Sequence, residues 1–290
     1  MDTMAGRIET ALEGAVRRAE GAGAPPRLAA ALRHAVFPGG GRVRPRLLVA
    51  VADACGDPAP ILTDAAAAAL ELLHCASLVH DDMPCFDDAA TRRGRPSVHA
   101  AFGAPLALLT GDAMIVAAFE ALARAAPADP HAAAAVSLLV ARSVGMPGGI
   151  VAGQGWESED EIDFAAYHRA KTGALFVAAT TTGAVAAGAD PGPWRELGAK
   201  LGEAYQVADD LADALGASND VGKPCGQDAA HDRPSAVRAL GVGGAVSRLG
   251  ALIAEAVDAI PDCRGAGSLR DLVLLQARRL APKSLDRSVA

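Results

Sequence analysis

Aromatic residues make up only 3% of this 290-residue chain, so its core has to be filled by small aliphatic side chains rather than by ring packing. Cysteine is equally sparse. Cys55, Cys75, Cys85, Cys225 and Cys263 are odd in number and include no CxxC pair, which argues against a disulfide framework and against a paired-cysteine zinc site. Reduced thiols and a cytoplasmic location are the expectation. Basic residues do not dominate either: the formal charge is −7, which excludes a broad basic face and with it nucleic acid as the main partner. Runs that alternate β-branched and polar residues are missing, so no extensive sheet is expected. Residues Met1 to Glu20 mix Asp, Glu and Arg with apolar side chains and carry no signal-type apolar core. No later apolar run looks both long enough and free enough of charge to span a bilayer, so membrane insertion is not expected.

What the chain has in abundance is alanine and helical periodicity. Hydrophobic residues reach 51%, and stretches such as Ala65 to Ala69 and Ala132 to Val136 are nearly pure alanine, the composition of helices that pack closely. Apolar residues recur at helical spacing almost throughout, which gives an all-α fold class. Breaks rich in Gly, Pro or Asp fall at Gly21 to Pro26, Pro38 to Gly41, Asp57 to Pro60, Gly94 to Pro96, Pro127 to Pro130, Gly145 to Gly149, Gly188 to Pro193 and Gly216 to Gly226. None is long enough for an interdomain linker. Residues 1–290 therefore read as a single domain, a large helical bundle whose separated chemical motifs must converge.

Two acidic motifs stand out. The first is His80-Asp81-Asp82-Met83-Pro84-Cys85-Phe86-Asp87-Asp88, at the end of an apolar helix. On a continuous helix, at about 100° per residue, Asp81 and Asp87 would face different ways. Pro84 disfavours helical geometry at Met83, so the helix ends there and the next residues can fold Asp87 back towards Asp81. The second motif, Gln206-Val207-Ala208-Asp209-Asp210-Leu211-Ala212-Asp213, fits an unbroken helix with Gln206, Asp209 and Asp213 on one face. A lone Asp-Asp pair is most often a solvated cap. Two of them in apolar helices need partners to offset desolvation, and carboxylates in pairs suit magnesium, which one or two carboxylates and substrate phosphates usually hold.

Basic segments answer the acids. Gly39-Gly40-Gly41-Arg42-Val43-Arg44-Pro45 is a glycine turn leading into arginines, Arg92-Arg93-Gly94 follows the first acidic motif, Lys171-Thr172-Gly173 opens an apolar helix, and Gly222-Lys223-Pro224 follows the second motif. Arginine forks suit diphosphate oxygens, and glycine lets backbone approach them.

In this order the motifs resemble the trans-isoprenyl diphosphate synthase family over nearly the whole chain, with Gly111-Asp112 and Gly153-Gln154 matching two further family pairs. Within the family the pattern is most similar to bacterial members that make geranylgeranyl diphosphate for carotenoid and photosynthetic pigments. The resemblance implies an isoprenoid-synthase bundle with a central active-site cavity, homodimeric assembly, and magnesium-dependent 1'-4 condensation of isopentenyl diphosphate with allylic diphosphates. It implies that Asp81, Asp82, Asp87, Asp209 and Asp213 hold three magnesium ions. Arg92, Lys171, Thr172, Gln206 and Lys223 would bind the allylic diphosphate, with Lys171, Thr172 and Gln206 steadying the carbocation. Arg44, His74 and Arg93 would bind isopentenyl diphosphate.

Three positions depart from the family pattern. Gly41 stands where a lysine is usual, so one isopentenyl diphosphate contact is missing or supplied by Arg42; Arg233 is the nearest counterpart of a late lysine; and Glu157 replaces a common aspartate. Ala76 lies where short-chain members of the family often carry an aromatic residue, and with the small Ser77 beside it this leaves the product channel open for a C20 chain, with Leu72 and Leu73 as a deeper floor. The alternatives are a farnesyl diphosphate synthase, a C15 enzyme, and a non-catalytic regulatory subunit. A terpene cyclase is disfavoured by Asp209 to Asp213 and by Arg92-Arg93.

Overall fold

The computed structural model describes residues 3–37, 40–215 and 235–280. Helices α1 (Thr3–Glu20), α2 (Pro26–Val36), α3 (Val43–Cys55) and α4 (Pro60–Asp81) are followed by a short strand pair, β1 (Thr91–Arg92) and β2 (Arg95–Pro96). Then come α5 (Val98–Phe102), α6 (Ala104–Ala125), α7 (Pro130–Val144), α8 (Ile150–Gly155), α9 (Phe164–His168), α10 (Ala174–Ala186), α11 (Arg195–Ala214), α12 (Ala236–Asp258) and α13 (Ala266–Leu280). The all-α class holds.

Helix α4 is the centre of the bundle, touching α1, α2, α3, α6, α7 and α10. Its alanines 66 to 69 and Leu70, Leu72 and Leu73 are all buried, so it is apolar nearly all round, as a helix enclosed by others must be. Helix α10 is buried in the same way. Its Thr180 and Thr181 hydroxyls donate back to the Val177 carbonyl at 3.1 and 2.7 Å, which lets polar side chains sit in the core. Helix α11 packs between α10 and α12. An ion-pair cluster at the edge ties α1 to α3 and α4: Arg7 binds Asp53 at 3.2 Å, Asp57 at 2.5 Å, and Asp64.

One expectation needs correction and one detail adds to the all-α reading. The detail is a pair of two-residue strands, Thr91 opposite Pro96 and Arg92 opposite Arg95. Arg93 (φ 53°) and Gly94 (φ 72°) both adopt left-handed geometry at its tip, the backbone of a tight two-residue hairpin turn. Three helical stretches, Pro60–Asp81, Ala104–Ala128 and Ala236–Asp258, are also long and apolar enough to cross a membrane, contrary to the expectation from sequence. Alanine raises their mean apolarity, and in α4 that apolarity serves the bundle: 67% of its most apolar window is buried, against 22% in α12. The four described cysteines, Cys55, Cys75, Cys85 and Cys263, are free thiols; Cys225 lies outside the described residues.

Candidate active site

Helix α4 ends at Asp81, and the chain then turns back on itself. The Met83 amide donates to the His80 carbonyl at 3.1 Å, the Asp87 amide to the Asp81 carbonyl at 3.0 Å, and the Ala89 amide to the Asp82 carbonyl at 3.1 Å. The fold-back expected from Pro84 is therefore present, and it brings Asp87 beside the helix end. Asp81 and Asp82 are buried, while Asp87 is half-buried. Asp82 is gripped by Arg92, whose Nε lies 3.0 Å from both carboxylate oxygens and whose Nη2 also contacts Oδ1. Arg92 Nη2 stands 3.8 Å from Asp81 Oδ2. The hairpin explains this aim, since it returns the chain immediately past the motif.

Lys171 sits on a π-helical turn, Arg169–Gly173, the kind of local bulge that redirects side chains at functional sites. Its Nζ reaches Asp81 Oδ1 at 3.3 Å and Glu157 Oε1 at 2.5 Å. Glu157 also accepts from the Tyr167 hydroxyl at 2.7 Å and from Gln154 Nε2 at 2.8 Å. Helix α8 lies so close to this turn that a Cβ on Gly153 would come within 2.4 Å of the Lys171 backbone nitrogen. That close approach gives the Gly153-Gln154 pair its physical reason.

The second motif meets the same turn from the other side. Thr172 Oγ1 donates to Gln206 Oε1 at 2.8 Å, and Gln206 Nε2 donates to Asp210 Oδ1 at 2.9 Å. Asp210 Oδ2 accepts the Ala236 amide at 2.7 Å, so this carboxylate fastens α11 to the start of α12. Burial pushes its pKa upward, and the Ala236 and Gln206 hydrogen bonds counter that. Asp209 is exposed and Asp213 half-buried on the same helix. Lys171 and Thr172, adjacent in sequence, thus hold one acidic motif each.

The third cluster gathers α3, α4 and α10. Arg44 Nη1 lies 3.2 Å from His74 Nε2, and its guanidinium covers the Phe176 ring at 4.7 Å. Phe176 in turn packs on Tyr205 of α11, ring centroids 4.5 Å apart. The Arg44 Nε is buried with no hydrogen-bond partner among the described residues. Burial lowers the Arg44 pKa, and the charges of Glu71, Tyr205 and Asp209 work against that. Burial, then the positive charges of Arg44, Arg93, Arg92 and Arg42, hold His74 well below the usual imidazole range, so its ring is neutral. The Arg93 guanidinium lies against Gly40, where a Cβ would come within 2.7 Å of its Cζ.

Arg42 goes elsewhere. Its Nε binds Glu9 at 2.7 Å, its Nη1 binds Glu71 at 2.8 Å and its Nη2 donates to the Val36 carbonyl at 2.9 Å, all within the bundle. Ala76, Leu72 and Leu73 are buried, and the half-buried Ser77 turns its hydroxyl onto the His74 carbonyl at 2.8 Å. Lys223 and Arg233 lie outside the described residues.

Among the described residues no three His, Cys, Asp or Glu side chains close into a ligand set. The acids come instead in pairs, all oxygen donors, at the ends or faces of two helices. That donor set fits magnesium, which takes few protein ligands and completes its shell with water and phosphate.

Two acidic motifs joined by Lys171 on Asp81 and Thr172 on Gln206, with the half-buried Arg44, Arg92 and Arg93 beside them, suit binding of a polyphosphate and separation of charge. The chain belongs to the polyprenyl synthetase family, whose pattern matches residues 25–255. It is a prenyltransferase. It is 57% identical to a geranylgeranyl diphosphate synthase of Cereibacter sphaeroides over 283 residues, 98% of each chain. It is 51% identical to the enzyme of the same name from Rhodobacter capsulatus, covering 97% of this chain and 98% of the relative. A geranyltransferase from Helicobacter pylori, solved in complex with magnesium and isoprenyl diphosphate, superposes with a TM-score of 0.79 at 25% identity, covering 96% of this chain and 98% of that one.

Proposed function

We propose that this chain, acting as one domain over residues 1–290, is a magnesium-dependent geranylgeranyl diphosphate synthase that extends allylic diphosphates with isopentenyl diphosphate. The observation that carries the reading is the bridge made by Lys171 to Asp81 at 3.3 Å and by Thr172 to Gln206 at 2.8 Å, which joins both acidic motifs at one place. Two relatives named geranylgeranyl diphosphate synthase, at 57% and 51% identity over nearly the full length, support the C20 product.

Asp81, Asp82 and Asp87 on one side and Asp209 and Asp213 on the other would hold three magnesium ions, which would supply the positive charge that neutralises the diphosphate as it departs. Arg92, Lys171 and Lys223 take the allylic diphosphate oxygens. Arg44, His74 and Arg93 take isopentenyl diphosphate, the neutral His74 acting as a hydrogen-bond partner and Arg44 as the charge. Thr172 and Gln206 present oxygen dipoles to the allylic cation as the C–O bond breaks. The isopentenyl double bond then attacks that cation, and the proton it releases passes to the departed diphosphate. No protein nucleophile is needed. Ala76 and Ser77 leave room for the growing tail. The enzyme works in the cytoplasm as a homodimer.

Release of inorganic diphosphate from isopentenyl and farnesyl diphosphates, titrated with magnesium, tests the reading. Turnover should rise from zero with added magnesium and vanish with chelator. Diphosphate release without magnesium would overturn it.

A further inference from the structure

Arg42 sits beside the proposed isopentenyl site yet spends its whole guanidinium inside the protein. It takes left-handed backbone geometry (φ 47°) at the start of α3, two residues before Arg44. Its side chain is 6% exposed and is shared between Glu71, 2% exposed, and Glu9, 45% exposed. The Val36 carbonyl completes the set, fixing the end of α2 to the start of α3. A left-handed non-glycine residue needs such over-determination to persist.

Glu71 lies one turn before His74 on α4, and its charge is the largest influence opposing the desolvation of Arg44. A carboxylate this deeply buried is costly unless paired, and Arg42 supplies the pair. The triad carries two negative charges and one positive, leaving one negative charge beside the Arg44 and Arg93 cluster.

We propose that Glu71, acting through Arg42, is the positioning residue of the isopentenyl diphosphate site. It holds the start of α3 in the position that sets Arg44 against His74, in a chain that carries Gly41 and no lysine there. Glu9 supports the same arginine from the rim. The proposal rests on the synthase reading above, and the two can fail separately.

The test compares steady-state kinetics of the wild type, Glu71→Gln and Glu9→Gln with isopentenyl and farnesyl diphosphates varied in turn. Glu71→Gln keeps an oxygen acceptor for Arg42 and removes the charge. Its KM for isopentenyl diphosphate should rise on the order of tenfold or more, the loss of one charge-assisted hydrogen bond. Its kcat and its KM for farnesyl diphosphate should stay near wild type. Glu71→Asp should recover part of the KM, and Glu9→Gln should move it the same way by less. Equal weakening for both substrates, or an unchanged isopentenyl KM in a folded Glu71→Gln protein, overturns the proposal. Should Glu71→Gln not fold, an unchanged isopentenyl KM in Glu9→Gln overturns it. An inactive wild type would instead sink the synthase reading itself.

Discussion

Lys171 stands between two carboxylates, at 2.5 Å from Glu157 and 3.3 Å from Asp81, and the geometry makes Glu157 its anchor. Tyr167 and Gln154 lock that anchor in turn. Glu157→Gln should therefore lower kcat by about tenfold, since a neutral amide holds the ammonium less firmly, and a stopped diphosphate-release assay measures it. His74 gives a second prediction. Its folded pKa lies well below the ordinary value of 6.5, so the folded state keeps the ring neutral while the unfolded chain protonates as pH falls. Stability from this group is present above the unfolded pKa and declines on acidification. The drop in Tm between about pH 7.5 and about pH 5.5 should be smaller in His74→Asn than in the wild type. The fold-back of Asp87 was legible in sequence, because Pro84 is a local signal, whereas the Thr172–Gln206 hydrogen bond joins residues 34 apart and was not. Nor was the destination of Arg42. Its partners Glu9 and Glu71 lie 33 and 29 residues away, and an arginine after glycines carries no sign of which way its guanidinium turns.

At the scale of elements, the site depends on how closely α8, α11 and the π-turn pack. A Cβ at Gly153 would lie 2.4 Å from the Lys171 nitrogen, and one at Gly202 would lie 2.8 Å from the Gly173 Cα. Both squeeze the turn that carries Lys171 and Thr172. Gly153→Ala should keep the helical circular dichroism and lose activity by roughly a hundredfold, as small displacements of positioned groups do. Helix α4 makes the next prediction: Ala76 is 2% exposed in the bundle, five residues before Asp81, so a tyrosine there should block the tail. Ala76→Tyr should shorten the product, read by chromatography of the dephosphorylated alcohols; an unchanged C20 product would remove Ala76 from the channel. The sequence pattern could identify α4 as a buried apolar helix. It could not reveal the Arg92–Arg95 hairpin, because two paired residues leave no alternation to detect, nor the π-turn, whose composition is ordinary.

At the scale of the whole molecule, one helix face stands exposed among the described residues. Leu108, Leu109, Val116 and Phe119 are exposed along α6, with Leu138 exposed on α7. We propose a second copy of the chain as the occupant of this exposed apolar face. Light scattering should give about twice the 29.2 kDa protomer mass for the wild type and the protomer mass for Leu109→Glu/Val116→Glu. The net charge of −7 does not exclude polyphosphate binding, because Arg44, Arg92, Arg93 and Lys171 stand near the two acidic motifs. The helical class could be read from periodicity, since nearly every segment agrees on helix, whereas the convergence of the two acidic motifs was expected from the chemistry they would share and from the family resemblance. The most direct measurement is incubation of the purified chain with magnesium, isopentenyl diphosphate and, separately, dimethylallyl, geranyl and farnesyl diphosphates, followed by chromatography of the dephosphorylated products. A dominant C20 alcohol is the expected result; a C15 stop, or no elongation from any primer, would contradict the account.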